Sequence, residues 1–162
     1  MAKKLTKSKV DAFNAAIGKF TIAWTTMEAW LDVLATVLCE PGAKPPHQLS
    51  KKTKLARRLL PEHLTEEHAR DAVLTIESIE VFSETRHDYI HGAILSHSFE
   101  GHKLKVELGR FLQPTKEPRP TVKVDAAWID AKADEVFELG DELRNIMYIL
   151  LVGVPYDECE QD

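Results

Sequence analysis

Residues 13–38 read FNAAIGKFTIAWTTMEAWLDVLATVL, and their apolar side chains recur at alternating intervals of four and three residues. That spacing places them on one stripe of an α-helix. The stripe consists of Phe13, Ile17, Phe20, Trp24, Met27, Leu31, Leu34 and Leu38. It is the strongest pattern in the chain and predicts a long helix from about Ser8 to Glu40, which Pro41 and Gly42 bring to an end.

A second seam with the same spacing lies towards the other end of the chain, after a predicted helix cap at Asp125. Its members are Ile129, Ala133, Val136, Gly140, Leu143, Met147 and Leu150. Long helices with such seams pack against one another in antiparallel bundles. The predicted fold class is therefore all-α, an antiparallel bundle of four to five helices.

Two further helices are predicted between these seams. A short basic helix from Ser50 to Leu60 is expected to begin at the Ser50 cap, to end at Pro61 and to lie at the periphery. A longer one is expected to begin at a cap at Thr65, with acidic residues in the first turn, and to run to His91, where Gly92 closes it.

The character of the sequence changes between Ala93 and Val124. Leu104, Val106 and Leu108 alternate with charged residues after a turn at Gly101, which is typical of a β-hairpin. A short strand is expected at residues 121–124. The bundle should therefore carry a small β-hairpin insertion between its third and last long helices.

Composition sets limits on the class of protein. The chain has 162 residues, with 21 Lys and Arg against 26 Asp and Glu, and a formal net charge of −5. We expect a single domain over residues 1–156 and an acidic tail over 157–162. Bulk electrostatics disfavour nucleic-acid binding unless a local basic surface overrides them. Neither of the two cysteines sits in a metal-ligand or redox spacing, so we expect no cofactor, no metal and a cytoplasmic protein. No stretch approaches the roughly 18 apolar residues of a membrane span, so we expect none.

A polar cluster, RHDYIHG, interrupts the third predicted helix near its carboxyl end, at residues 86–92. An unpaired buried charge costs several kcal/mol, about what a small domain can spare, so such a cluster needs a compensating partner or a use. His91 would occupy the last turn, where the helix dipole favours its protonated form. A histidine in that position can exchange a proton near neutral pH.

The spacing of Arg86, four residues, His91 and then Gly92 resembles the R-x4-H motif of HEPN domains, the higher eukaryotes and prokaryotes nucleotide-binding superfamily. The family often has Asn or Asp after the arginine, where this chain has His87. Its motif ends a long helix of a four-to-five-helix bundle, and its first helix often carries an aromatic residue and a glutamate one turn apart, as Trp24 and Glu28 do here.

The resemblance implies a metal-independent ribonuclease in which two subunits each contribute an arginine and a histidine to one cleft. His91 would act as base and, from the second subunit, as acid, while Arg86 would stabilise the phosphorane. His87 and Asp88 would support the pair or contact RNA, and Glu28 would anchor Arg86. The implied partners are a second copy of the chain, RNA and a cognate antitoxin or other protein, as in toxins and defence effectors.

The predicted basic helix supplies five positive charges within eight residues, and it is a candidate surface for RNA phosphates. These residues are Lys51, Lys52, Lys54, Arg57 and Arg58. A solvated helix face is the alternative interpretation.

Two other functions fit the same residues. The first is a non-catalytic helical interaction module of the same fold, in which Arg86 forms a structural ion pair and His91 caps its helix. The second is a metal site, because His87 and His91 lie one turn apart in a pattern close to the HExxH zinc motif, with His97 and His102 nearby in sequence.

Overall fold

The computed structural model describes residues 6–90, 93–109 and 121–154, except for the side chains of residues 87–90, 93, 94 and 109. Four helices and a small antiparallel sheet make up the described chain, and the sheet lies between the third and fourth helices. In chain order the elements are α1 Lys7–Leu38, α2 Leu49–His63, α3 Glu66–Ile90, β1 Ala93–Glu100, β2 Lys103–Gly109, β3 Val122–Val124 and α4 Ala126–Val152. This confirms the predicted all-α bundle with a β-hairpin insertion.

The two apolar seams form the core of the molecule. Every member of the α1 stripe is buried except Ile17, which is half-buried, and the α4 seam is buried except for Leu150. Burying one large apolar side chain stabilises a fold by about 1.5–3 kcal/mol, so these two helices supply much of the driving force for folding.

Four helical segments form one of two compact units, which comprises Ala23–Phe82 and Glu135–Asp162. Within it α1 and α4 approach closely, since a Cβ atom placed on Gly140 would lie 3.5 Å from the Cα atom of Met27. The helix α2 is joined to α1 by an ion pair between Lys52 and Asp32, and to α3 by one between Arg57 and Glu80.

The structure corrects three expectations about α2. Its N-cap is Gln48, whose carbonyl oxygen accepts the Lys51 and Lys52 amides, so Ser50 lies inside the helix and not at its cap. Pro61 also lies inside the helix, which continues to His63 and closes with a 3.1 Å hydrogen bond from the Leu64 amide to the Leu60 carbonyl. The helix is not peripheral, because one of its faces is fully buried. That face consists of Lys52, Thr53, Ala56 and Leu60.

The other compact unit, Met1–Ile22 and Ser83–Asp134, contains the sheet. Its strand order is β1-β2-β3, antiparallel throughout, and Gly101 makes the tight turn between β1 and β2 with a φ of 61°. Positive φ is readily accessible only to glycine, which explains the residue at this turn. The first half of α1 is joined to α4 by Lys19, whose Nζ lies 3.0 Å from Asp130 and 2.7 Å from Asp134.

Side chains cap two helices as predicted. The Asp125 carboxylate accepts the Trp128 amide at 2.9 Å at the start of α4. The Thr65 hydroxyl accepts the His68 amide, at a longer 3.4 Å, before α3. Both contacts satisfy amides that have no partner within their own helix.

Candidate functional site

The first residues of the R-x4-H segment lie at the carboxyl end of α3. The helix ends at Ile90, so Arg86 lies in its final turns and His91 follows its last residue. His91 and Gly92 fall outside the described residues, as do the side chains of His87 and Asp88. The position of Arg86 near the end of α3 is therefore observed, and the placement of His91 stays a prediction.

Arg86 is partly buried, and its Nε atom is inaccessible to solvent. A guanidinium stays charged at any physiological pH and presents its donors in a planar fork that matches a phosphate. Partial burial lowers the effective dielectric around it, which strengthens its interaction with an anion relative to a fully solvated arginine.

The aromatic and glutamate pair of α1 is joined by a hydrogen bond. The indole Nε1 of Trp24 donates to Oε2 of Glu28 at 3.1 Å, and Trp24 is only 2% exposed. A buried indole N–H needs such a partner, so one role of Glu28 is to satisfy Trp24. Glu28 belongs to the helical unit and Arg86 to the unit that contains the sheet.

The five basic residues of α2 divide into two groups. Lys52 is 4% exposed and its ammonium pairs with Asp32, while the Arg57 guanidinium pairs with Glu80. These two residues hold α2 against its neighbours. Any surface for phosphates on this helix therefore depends chiefly on the other three.

Those three side chains form what we call the basic stripe, namely Lys51, Lys54 and Arg58. All are exposed, and none forms an ion pair within the described part of the chain. Their spacing of three and four residues places them on one face of α2, opposite its buried face. The stripe presents three solvated positive charges along about ten ångströms of helix.

The structure also contains a groove between α3 and α4 that the sequence did not indicate. Its volume is about 530 Å³. The polar residues of its lining form no recognisable sequence motif. We define the α3–α4 groove by its lining residues, which are His68, Asp71, Ala72, Leu74, Thr75, Ser78, Leu139, Glu142, Asn145, Ile146 and Ile149.

Metal ligation has no assembled site in the residues that the structure describes. Nowhere in residues 6–90, 93–109 and 121–154 do three or more His, Cys, Asp or Glu side chains converge to hold a metal ion. His97 and His102 belong to β1 and to the turn after it, and both side chains are exposed.

Within the described residues, no helix combines the length and the apolar character needed to cross a bilayer. Comparisons with protein-family models, with curated proteins and with solved structures found no match to this chain.

Proposed function

We propose that the chain is a HEPN-like ribonuclease, of the toxin or defence-effector kind, that cleaves RNA without a metal ion at a site shared by two copies. The observation that carries this proposal is the Arg86-x4-His91 spacing at the end of α3 in a helical bundle. The partly buried Arg86 supports it further, because catalysis of phosphoryl transfer needs fixed positive charge.

The proposed reaction is an internal transesterification. The RNA 2′-oxygen attacks phosphorus and gives its proton to His91 of one copy, while the bond from phosphorus to the 5′-oxygen breaks. The His91 of the second copy donates a proton to that leaving oxygen. The products are a 2′,3′-cyclic phosphate and a 5′-hydroxyl end, and Arg86 stabilises the extra negative charge of the phosphorane.

Substrate binding is assigned to the basic stripe. Lys51, Lys54 and Arg58 supply exposed charge in a chain whose net charge is −5, so attraction to RNA would be local and strongly salt-dependent. No aromatic side chain lies within α2, which favours contacts to phosphates over stacking on bases.

The test is RNA degradation by the purified chain in EDTA. Wild type should cleave, and Arg86→Ala and His91→Ala should each lose activity by at least about a hundredfold. Arg70→Ala and His97→Ala are matched controls, since both residues are exposed and lie outside the proposed site. Absence of cleavage by folded wild-type protein would favour a non-catalytic interaction module, and activity only with added zinc would favour the metal site at His87 and His91.

Assembly provides a separate test. A shared site requires a dimer at the assay concentration, which light scattering measures directly. A strict monomer that still cleaves RNA would contradict the composite site. Mixing Arg86→Ala with His91→Ala should restore no activity, because each mixed dimer retains only one His91 and the reaction needs one from each copy.

A further inference from the structure

The α3–α4 groove combines an apolar floor with polar groups at fixed positions. Ala72, Leu139 and Ile146 are buried beneath it, while Leu74 is 55% exposed at its side. Apolar surface with a few convergent polar groups, in a space of several hundred cubic ångströms, is the usual form of a small-molecule site. The groove therefore has the form of a small-molecule binding site.

Carboxylates are the charged groups of the groove lining. Asp71 is paired with Arg70, whose Nε lies 3.5 Å from its Oδ1, whereas Glu142 forms no ion pair among the described residues. The hydroxyl of Thr75 lies 2.7 Å from Oε2 of Glu142 and 3.1 Å from the Asp71 carbonyl oxygen, which fixes the direction of the Glu142 carboxylate. An occupant of this groove should be a cation that donates hydrogen bonds.

His68 contributes its ring to the same lining. Its Nδ1 is buried and has no hydrogen-bond partner among the described residues. Because this nitrogen has almost no solvent-accessible surface, an occupant of the groove would not contact it directly. The polar group open to an occupant is therefore the exposed Glu142 carboxylate.

Size and charge together indicate the kind of occupant. The groove holds about 530 Å³ and places the oriented Glu142 carboxylate beside an apolar floor, which suits a small molecule with an ammonium group and an aliphatic body. We propose that the α3–α4 groove binds a small organic cation, an ammonium group carried on an aliphatic body. This site is independent of the proposed ribonuclease activity.

Binding can be measured by NMR titration of the ¹⁵N-labelled full chain with n-octylammonium. We expect saturable shifts at the amides of Ala72, Ser78, Asn145 and Ile149. Octanoate, which has the same chain length and the opposite charge, should not bind, and uncharged 1-octanol should bind about tenfold more weakly than the cation. Equal binding of octanoate, or shifts that never saturate, would overturn the proposal.

Paired variants separate a site from a general charge effect. Glu142→Gln keeps an oxygen for Thr75 but removes the charge, and it should weaken octylammonium binding by about tenfold. Glu138→Gln makes the same change one turn away on α4, outside the lining, and should leave affinity within about twofold. Equal loss in both variants would show that only the net charge matters, which contradicts a defined site.

The aliphatic half of the ligand has its own pair of variants. Leu74→Ala removes a half-exposed wall of the groove and should weaken binding roughly fivefold. Val81→Ala, on the same helix but outside the lining and 71% exposed, should have no effect. If a basic amphipathic peptide shifts these amides while octylammonium does not, the occupant is a protein segment and the proposal fails.

Discussion

The Nζ atom of Lys105 lies 2.9 Å from Oδ2 of Asp125, while Oδ1 of the same carboxylate accepts the Trp128 amide at 2.9 Å. One carboxylate thus joins the central strand β2 to the first turn of α4. The Lys105 ammonium, through this contact, lowers the pKa of Asp125, and Asp125 in turn raises the pKa of Lys105. The N-cap and the ion pair both use the Asp125 side chain, but substitutions can separate their contributions to stability.

Asp125→Ala should lower the free energy of unfolding by about 1–2 kcal/mol, because it removes an N-cap. Asp125→Asn keeps a good capping oxygen and loses only the charge, so it should be clearly less destabilising. Urea denaturation at neutral pH, followed by circular dichroism, measures both variants. Equal destabilisation by Ala and Asn would show that the contact with Lys105 matters more than the cap.

Stability should decline in acid. The pKa of Asp125 is lowered in the fold, and hydrogen bonds from Ser96 and Thr121 lower that of Glu107. Because both pKa values are lower in the folded chain, the unfolded chain binds protons more readily. The stabilisation from these two carboxylates is therefore complete above pH about 4–4.5, and it is lost as the pH falls through their pKa values in the folded chain. Urea midpoints between pH 2.5 and 7 should show the decline, and Asp125→Asn should flatten it.

Gly18→Ala should stabilise the chain by up to about 1 kcal/mol. Gly18 lies in the interior of α1, and an added Cβ would meet nothing within 4 Å, so the change gains helix propensity without a clash. The melting temperature should rise by roughly 2–4 °C. Gly42→Ala is the contrasting variant, since Gly42 has a φ of 86° and alanine there should destabilise.

Neutralising the basic stripe should weaken RNA binding without unfolding the chain. With Lys51→Gln, Lys54→Gln and Arg58→Gln combined, the slope of log affinity against log salt should fall by about 2, as for three lost contacts to single-stranded RNA. Filter binding across a salt series measures this slope. The control combines Arg70→Gln, Lys103→Gln and Lys123→Gln, which lie outside α2. An equal effect of both triple variants would point to net charge alone.

Much of the architecture was predictable because apolar residues at helical spacing mark the buried faces of the long helices. Phe20, Met27 and Leu31 on α1, with Val136 and Leu143 on α4, follow the helical period and are fully buried. The capping role of Asp125 was likewise readable, because a short acidic side chain before a helical seam has a local partner. These signals are contained within one turn or one stripe of sequence.

The helix α2 was harder because its buried face includes Lys52 and Thr53, which a hydropathy pattern counts as surface. Their burial depends on Asp32 of α1 and on a hydrogen bond from the Thr53 hydroxyl to the Ser50 carbonyl. Pro61 was expected to end the helix. It lies near the carboxyl end, where one missing amide removes a single hydrogen bond and the chain completes its turn.

The candidate site was predictable only in part. The spacing of Arg86 and His91 is visible in sequence, as is the placement of the segment at the end of α3. The sequence did not show which basic residues of α2 form ion pairs and which are exposed. Lys52 and Arg57 are paired because the fold brings Asp32 and Glu80 to them, and those acids resemble ordinary surface residues in the sequence. The α3–α4 groove is formed by residues far apart in the chain, such as Thr75 and Glu142, which are separated by 67 positions. A local sequence pattern does not indicate such a contact.

The close approach of Gly140 to Met27 limits which residues can occupy position 140. A methyl group at position 140 would sit at ordinary contact distance from the α1 backbone, 3.5 Å from Cα, so alanine fits. Leucine or phenylalanine would overpack a buried crossing, at a cost of about 1–3 kcal/mol. Distant relatives that preserve this helix crossing should therefore keep glycine or alanine here. That restriction offers a criterion for recognising them that does not depend on whether their arginine and histidine survive.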